Sequence, residues 1–175
     1  NFAGAYAGTR HLIACGYTRI GILAGLERLS TMRERLDGYC QALQDAGLPL
    51  TPEWIIRSQL SVESGREAMR TLLGLPQRPE AVFINNNLLT LGVLLEMNAQ
   101  TVSSPHDLGI VAFDEHPWAA VACPPISVVR QPTRQIGQVA AEMILALIDG
   151  RPVPEKRVIL PCELVVRQSC RTKIL

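Results

Sequence analysis

Short apolar runs alternate with helix-patterned stretches along most of this chain, and that alternation narrows the folds open to it. Arg19–Gly25, Trp54–Leu60, Ala81–Asn87 and Leu108–Phe113 each carry a compact apolar stretch. Runs of this length suit strands buried on both faces. Between them Met32–Ala46, Val62–Leu73 and Leu88–Ala99 place apolar residues at helical spacing, and Ala3–Cys15 does so ahead of the first strand. Gly16, Gly47 and Gly74 stand at three of the helix ends, where glycine is a common stop. One helix followed by four strand–helix alternations predicts right-handed parallel βαβ units, hence an α/β fold with a doubly wound parallel sheet flanked by helices.

The rhythm changes after Cys123-Pro124-Pro125. Ile126–Arg130 reads as another strand, and Gln131-Pro132-Thr133 starts a helix with the apolar stripe Ile136, Val139, Ala140, Met143, Ile144 and Leu147. Asp149-Gly150-Arg151-Pro152 stops it. Two extended pieces follow, around Arg157–Leu160 and Leu164–Val166.

Composition excludes several classes. Net charge is +1 with no basic run, so this stretch has no electrostatic footprint for nucleic acid. No apolar run approaches a membrane span and no signal-peptide pattern is present. The five cysteines are odd in number and contain no Cys-x-x-Cys, which argues against a disulfide framework or a zinc site and for buried reduced thiols in a cytoplasmic protein. His11, His106 and His116 show no metal-ligand spacing and read as lone surface histidines, and no cofactor motif is present, so neither metal nor cofactor is expected. Gly4 and Gly8 are too loosely arranged for a nucleotide loop, and close helix packing accounts for them better.

Candidate chemistry clusters at strand ends. In an open α/β sheet, ligands bind beyond the carboxyl ends of the strands. Those ends are the Gly25–Ser30 loop, Leu60-Ser61, Asn85–Asn87 and Asp114–His116. Side-chain amides offer both donor and acceptor, which suits hydroxyl-rich ligands better than bond-breaking chemistry. Asp114 is open to three roles: ligand for hydroxyls, helix cap or catalytic acid–base. Asn86 is equally a ligand contact or the cap of the next helix. Arg35 lies on a helix, where a solvated arginine is the default. No motif prepares a nucleophile, so recognition is expected and not catalysis.

Seven phrases in order then become recognisable. They are Asn1-Phe2-Ala3-Gly4 with His11-Leu12-Ile13, Gly16-Tyr17-Thr18-Arg19-Ile20, Arg35-Leu36-Asp37-Gly38-Tyr39, Ala81–Asn86 with Leu91-Gly92, Val111–Glu115, Pro124–Pro132 and Leu160–Cys170. The set resembles, nearly end to end, the effector-binding core of the lac repressor and galactose repressor family of bacterial transcription regulators.

The resemblance implies a type I periplasmic-binding-protein-like core of two lobes, with a small sugar or related metabolite bound between them to modulate DNA affinity. It implies that 2–130 form the C-terminal lobe, that 131–158 belong to the N-terminal lobe, and that 159–170 return to the C-terminal lobe. The DNA-binding region and most of the first lobe would precede this chain, so operator DNA would be met only through them. Arg35, Asn86, Asp114 and Gln131 match ligand-facing or lobe-crossover positions of the family. Leu60 stands where some members place a stacking aromatic, and Asn87 where an aspartate is usual. A homodimer is expected, since Leu88–Ala99 is apolar nearly all round. A solute-binding protein of a transport system, which shares the fold, is the rival reading; a signal peptide in the full-length gene would favour it.

Overall fold

The computed structural model describes residues 1–26, 28–153 and 157–171. Its elements are α1 (Phe2–Ala14), β1 (Ile20–Ala24), α2 (Ser30–Asp45), β2 (Ile55–Arg57), α3 (Val62–Leu73), β3 (Ala81–Ile84), α4 (Asn87–Ala99), β4 (Gly109–Phe113), α5 (Pro117–Val121), β5 (Ser127–Arg130), α6 (Thr133–Ile148) and β6 (Glu163–Val165). Among the described residues they form one sheet in the order β2-β1-β3-β4-β5-β6. The first five strands are parallel, with Ile22 beside Phe83 and Phe83 beside Val111. β6 runs antiparallel to β5, pairing Val128 with Val165. The sheet is therefore parallel-dominant and mixed. No helix of the described residues is long and apolar enough to cross a membrane.

Alternation within each strand feeds two cores. Ile20, Ile22, Phe83, Val111, Phe113 and Val129 meet Leu12, Leu36, Tyr39 and Leu43 of α1 and α2. Leu23, Val82, Ile84, Ile110, Ala112 and Val128 meet Met69, Leu72, Leu89 and Val93 of α3 and α4. Gly4 and Gly8 serve packing as expected. A Cβ on Gly4 would lie 2.8 Å from Val129 Cγ1, and one on Gly8 2.7 Å from Phe83 Cε2. α1 thus rides directly on the sheet. The α3–α4 layer is tied by Glu96, buried on α4, which accepts from Arg66 Nε at 3.3 Å and Arg70 Nε at 3.0 Å.

Several local expectations need correction. The second strand is shorter than Trp54–Leu60, because Pro52–Trp54 forms a 3₁₀ turn and pairing stops at Arg57. Arg157–Leu160 has no strand pairing. α5 is an extra short helix, started by Pro117 at its first position. Cys123 is exposed, whereas Cys15, Cys40 and Cys162 are half-buried and Cys170 buried. Of the Gly25–Ser30 loop and the 131–158 segment, residues 27 and 154–156 lie outside the described residues.

Candidate functional site

The strand order reverses at β1, since β2 lies on one side of it and β3 on the other. Crossovers there leave on opposite faces, and the gap beyond the carboxyl ends is where such sheets hold ligands. Arg35, from the second turn of α2, reaches into this edge and is only 3% exposed. Sequence reasoning had a solvated arginine as the default; tertiary packing overturns that. Its Nη1 donates to the Asn85 carbonyl at 2.5 Å, its Nε donates to Asn1 Oδ1 at 3.0 Å, and the guanidinium lies 3.6 Å from the Phe113 ring centroid. Stacking on an aromatic face and hydrogen bonds in its own plane are the contacts a guanidinium can use together.

Asp114 follows β4 and completes the cluster. Its Oδ2 lies 3.6 Å from Arg35 Nη1, and Gln131 Nε2 donates to its Oδ1 at 2.5 Å. The backbone N–H of Asp114 still pairs with Val129 O at 2.9 Å, while φ is +76°. A non-glycine residue in that left-handed region costs about 1 kcal/mol, and aspartate tolerates it better than most. The turn redirects the carboxylate from the sheet toward the crevice without losing the ladder. Burial pulls the Arg35 guanidinium below its ordinary pKa range, and the Asp114 carboxylate opposes that pull.

Asn86 stands on the same edge but serves the adjacent helix. It is the N-cap of α4: its Oδ1 accepts from Leu89 N at 2.9 Å, and its backbone carbonyl accepts from Thr90 Oγ1. Of the two readings left open, capping is the one seen in its bonds. Asn85 meets Arg35 through its backbone carbonyl, while its side-chain Nδ2 donates to Met32 O at 3.5 Å and its buried Oδ1 has no hydrogen-bond partner among the described residues. Leu60 is half-buried, and its Cδ2 lies over Gly25 beside the Met32 sulfur, so it joins the crevice wall and not the charged cluster. The structure thus brings Arg35, Asp114 and Gln131 together and leaves Asn86 and Leu60 outside that cluster, beyond the ends of β3 and β2. Asn1 and Phe113 were missed as partners of Arg35. The adjacent amides of Asn85 and Asn86 were visible in the sequence, but which one turned inward was not.

One residue beyond Asp114 the partners change completely. Glu115 takes a hydrogen bond from Arg167 and an ion pair from Arg130 Nη1 at 3.0 Å. Although burial pushes its carboxyl up, those two cations hold it below the ordinary range. This pairing locks the end of β5 to the tail and leaves Asp114 as the carboxylate facing the crevice.

Beside the cluster, a cavity of about 510 Å³ opens between Asn1, Ser30, Glu34 and Gln131 and the Ile136–Met143 face of α6. Such a site offers a fixed acceptor carboxylate, a buried cation and amides, beside apolar surface. That set can take hydroxyl protons through charge-assisted bonds. It holds no aligned nucleophile and base.

Residues 9–170 match the periplasmic binding protein-like domain family. The chain is 35% identical over 171 residues to the HTH-type transcriptional repressor CytR of Escherichia coli K12, covering 98% of this chain and 50% of that protein. It therefore spans about half the length of the curated relatives it matches. Among solved structures it is similar to a regulatory protein of the LacI family from Chloroflexus aggregans, with TM-score 0.88, 33% identity, and coverage of 96% and 60%. It is also similar to the transcriptional regulator CelR in its cellobiose complex, with TM-score 0.90, 32% identity, and coverage of 97% and 52%. The chain belongs to the periplasmic binding protein-like domain family, and its sequence and fold are those of the effector-binding core of a LacI-family transcription regulator.

Proposed function

We propose that this chain senses a small hydroxyl-rich metabolite, a sugar or sugar derivative, for a cytoplasmic transcription regulator. The observation that carries this reading is the Asp114 carboxylate, held by Arg35 and Gln131 at the switch-point edge of the sheet. Asp114 accepts hydroxyl protons, Arg35 orients it, and Gln131 couples it to the start of α6. Asn86 and Leu60 shape the flanks of the same crevice. The solved cellobiose complex of a relative supports a carbohydrate class of ligand.

In this reading 2–130 and 159–170 form one lobe. The segment 131–158 docks on a second lobe that precedes this chain, together with a helix-turn-helix that reads operator DNA. Ligand closes the lobes and changes the affinity for DNA. No cofactor or metal takes part in that response, and no bond is made or broken. The subunits pair as homodimers through α4, whose Leu88 and Leu95 remain 42% and 46% exposed on one face.

Calorimetric titration of the full-length regulator with a panel of sugars and sugar derivatives tests the sensing role. One member should bind to the wild type and lose affinity in Asp114→Ala. Normal effector response in that variant would refute the assignment. Sedimentation of Leu95→Asp should show monomer where the wild type shows dimer.

A further inference from the structure

At the opposite edge of the sheet, three residues that the sensing role does not use come together. His11 and Cys15 lie one turn apart near the end of α1, where an i,i+4 pair shares a face. His11 Nε2 and Cys15 Sγ are 3.6 Å apart. Cys170, arriving from the far end of the chain, is buried beside them, and the three potential ligand atoms lie within 4.8 Å of one another. We propose that His11, Cys15 and Cys170 form a metal site for a thiolate-preferring d¹⁰ cation, with Zn²⁺ the ion it fits best.

The geometry agrees with the chemistry of that ion. Tetrahedral zinc with one imidazole and two thiolates sets its ligand atoms about 3.5–3.8 Å apart, given bonds of about 2.0 and 2.3 Å. The observed grouping needs about 1 Å of closure, which side-chain rotation supplies. His11 and Cys15 are half-buried among the described residues, so the cluster is not sealed within the core. Two thiolates and a divalent cation sum to zero charge, which offsets part of the cost of burying the ion. Among the described residues, the neighbouring Arg171 has its guanidinium 4.2 Å over the Tyr17 ring and 3.8 Å from Glu80.

Metal binding displaces the thiol proton that Cys170 donates to the Ile110 carbonyl at 3.3 Å. That carbonyl keeps the Ser169 hydroxyl at 2.6 Å and is not orphaned. The site would staple the tail to α1 at the amino end of β4. Asp114 lies at the other end of that strand, so the two sites are separate. From the sequence no zinc site is expected, since Cys170 is remote in sequence from His11 and Cys15 and only the fold brings it to them.

The test uses the purified full-length protein in a thiol-free reductant. Co²⁺ should bind at one equivalent attributable to this site, with tetrahedral d–d absorption and a thiolate charge-transfer band, and Zn²⁺ should displace it. His11→Ala, Cys15→Ser and Cys170→Ser should each weaken zinc by at least about 100-fold in chelator competition, more than the roughly 10–100-fold typical of outer partners. Cys40→Ser and Cys123→Ser should bind as the wild type does. Circular dichroism checks that each variant is folded, and the half-buried His11→Ala keeps the test decisive if Cys170→Ser is not. Cu⁺ titrated in parallel reports whether the ion is zinc or copper; Cu⁺ uptake with no tetrahedral Co²⁺ spectrum and no Zn²⁺ uptake would overturn the zinc assignment. Metal affinity unchanged in His11→Ala and Cys15→Ser, or a Cys15–Cys170 disulfide with no metal uptake after reduction, would overturn the site.

Discussion

Two helices of this molecule are similarly rich in apolar residues and meet opposite fates. α4 buries Leu89, Thr90, Gly92, Val93, Glu96 and Met97. α6 buries none of its residues, and Ile144 and Leu147 remain 57% and 66% exposed. The difference lies in connection. α4 is the crossover between the neighbouring strands β3 and β4, so it must lie across both and is clamped by α3. α6 leads from β5 to an antiparallel strand beside it, and among the described residues no layer closes over its stripe. An amphipathic pattern records that a face is to be covered. It does not name the cover.

The largest expected difference is in local opening. In the 175-residue chain alone, amides of Gln135–Ile148 should exchange at least about 1,000-fold faster than those of Leu89–Met97, because opening energies range from near zero up to the global stability. Hydrogen-exchange mass spectrometry reads this directly. Equal protection would break the comparison. Slow exchange of α6 in the full-length protein alone would sharpen it, by showing that the cover is supplied from outside these residues.

Truncating one leucine on each helix should separate them again. Leu89→Ala removes a fully buried side chain and should cost about 2–5 kcal/mol in urea unfolding. Leu147→Ala should change stability by no more than about 0.5 kcal/mol in the same chain. A matching loss at Leu147 would mean that α6 is packed.

Between the two helices stands Asp114, joined to the start of α6 through Gln131. Asp114→Ala should weaken the metabolite by about 10- to 150-fold, the equivalent of about 1.5–3 kcal/mol for a charge-assisted bond. Asp114→Asn should lose affinity as well, but keep about 1 kcal/mol more stability than the alanine variant because asparagine tolerates the positive φ. Equal stability of the two would remove the backbone argument.

The smallest effect concerns acid. The Glu115 carboxyl lies below its ordinary 4.5, so its contribution is complete above that pH and is lost as the pH falls through the lower folded value. Glu115→Gln should therefore flatten the acid limb of the stability curve below pH 4.5 by less than about 1 kcal/mol, measured as urea midpoints against pH. An unchanged acid limb would mean that Arg130 and Arg167 contribute nothing measurable there.

Local pattern sufficed for much of this molecule. Ala81–Ile84 and Gly109–Phe113 are strands for the reason their apolar runs suggested: both faces are covered. Ser61 and Asn86 cap α3 and α4 through bonds to residues three positions on, and such short-range chemistry is carried by neighbouring residues. The helical period likewise revealed that Ile136–Leu147 forms one stripe. The crevice was legible as a set of strand ends, and its family phrases as an ordered series.

What only the tertiary structure decided are the pairings between residues far apart. Arg35 became a buried cation because α2 lays it on Phe113 and beneath the Asn85 carbonyl, 50 residues away. Asp114 became the crevice carboxylate, and Glu115 a lock on the tail, because a single left-handed φ turns the two side chains to different partners. Cys170 meets His11 and Cys15 because β6 brings the tail back against β5 and the Ser169 carbonyl then accepts the Ile110 N–H of β4. Periodicity and capping act over a few residues, where one stretch of chain specifies its own geometry. Burial, charge pairing and ligand sets depend on which elements the sheet order makes neighbours, and no local pattern encodes that order.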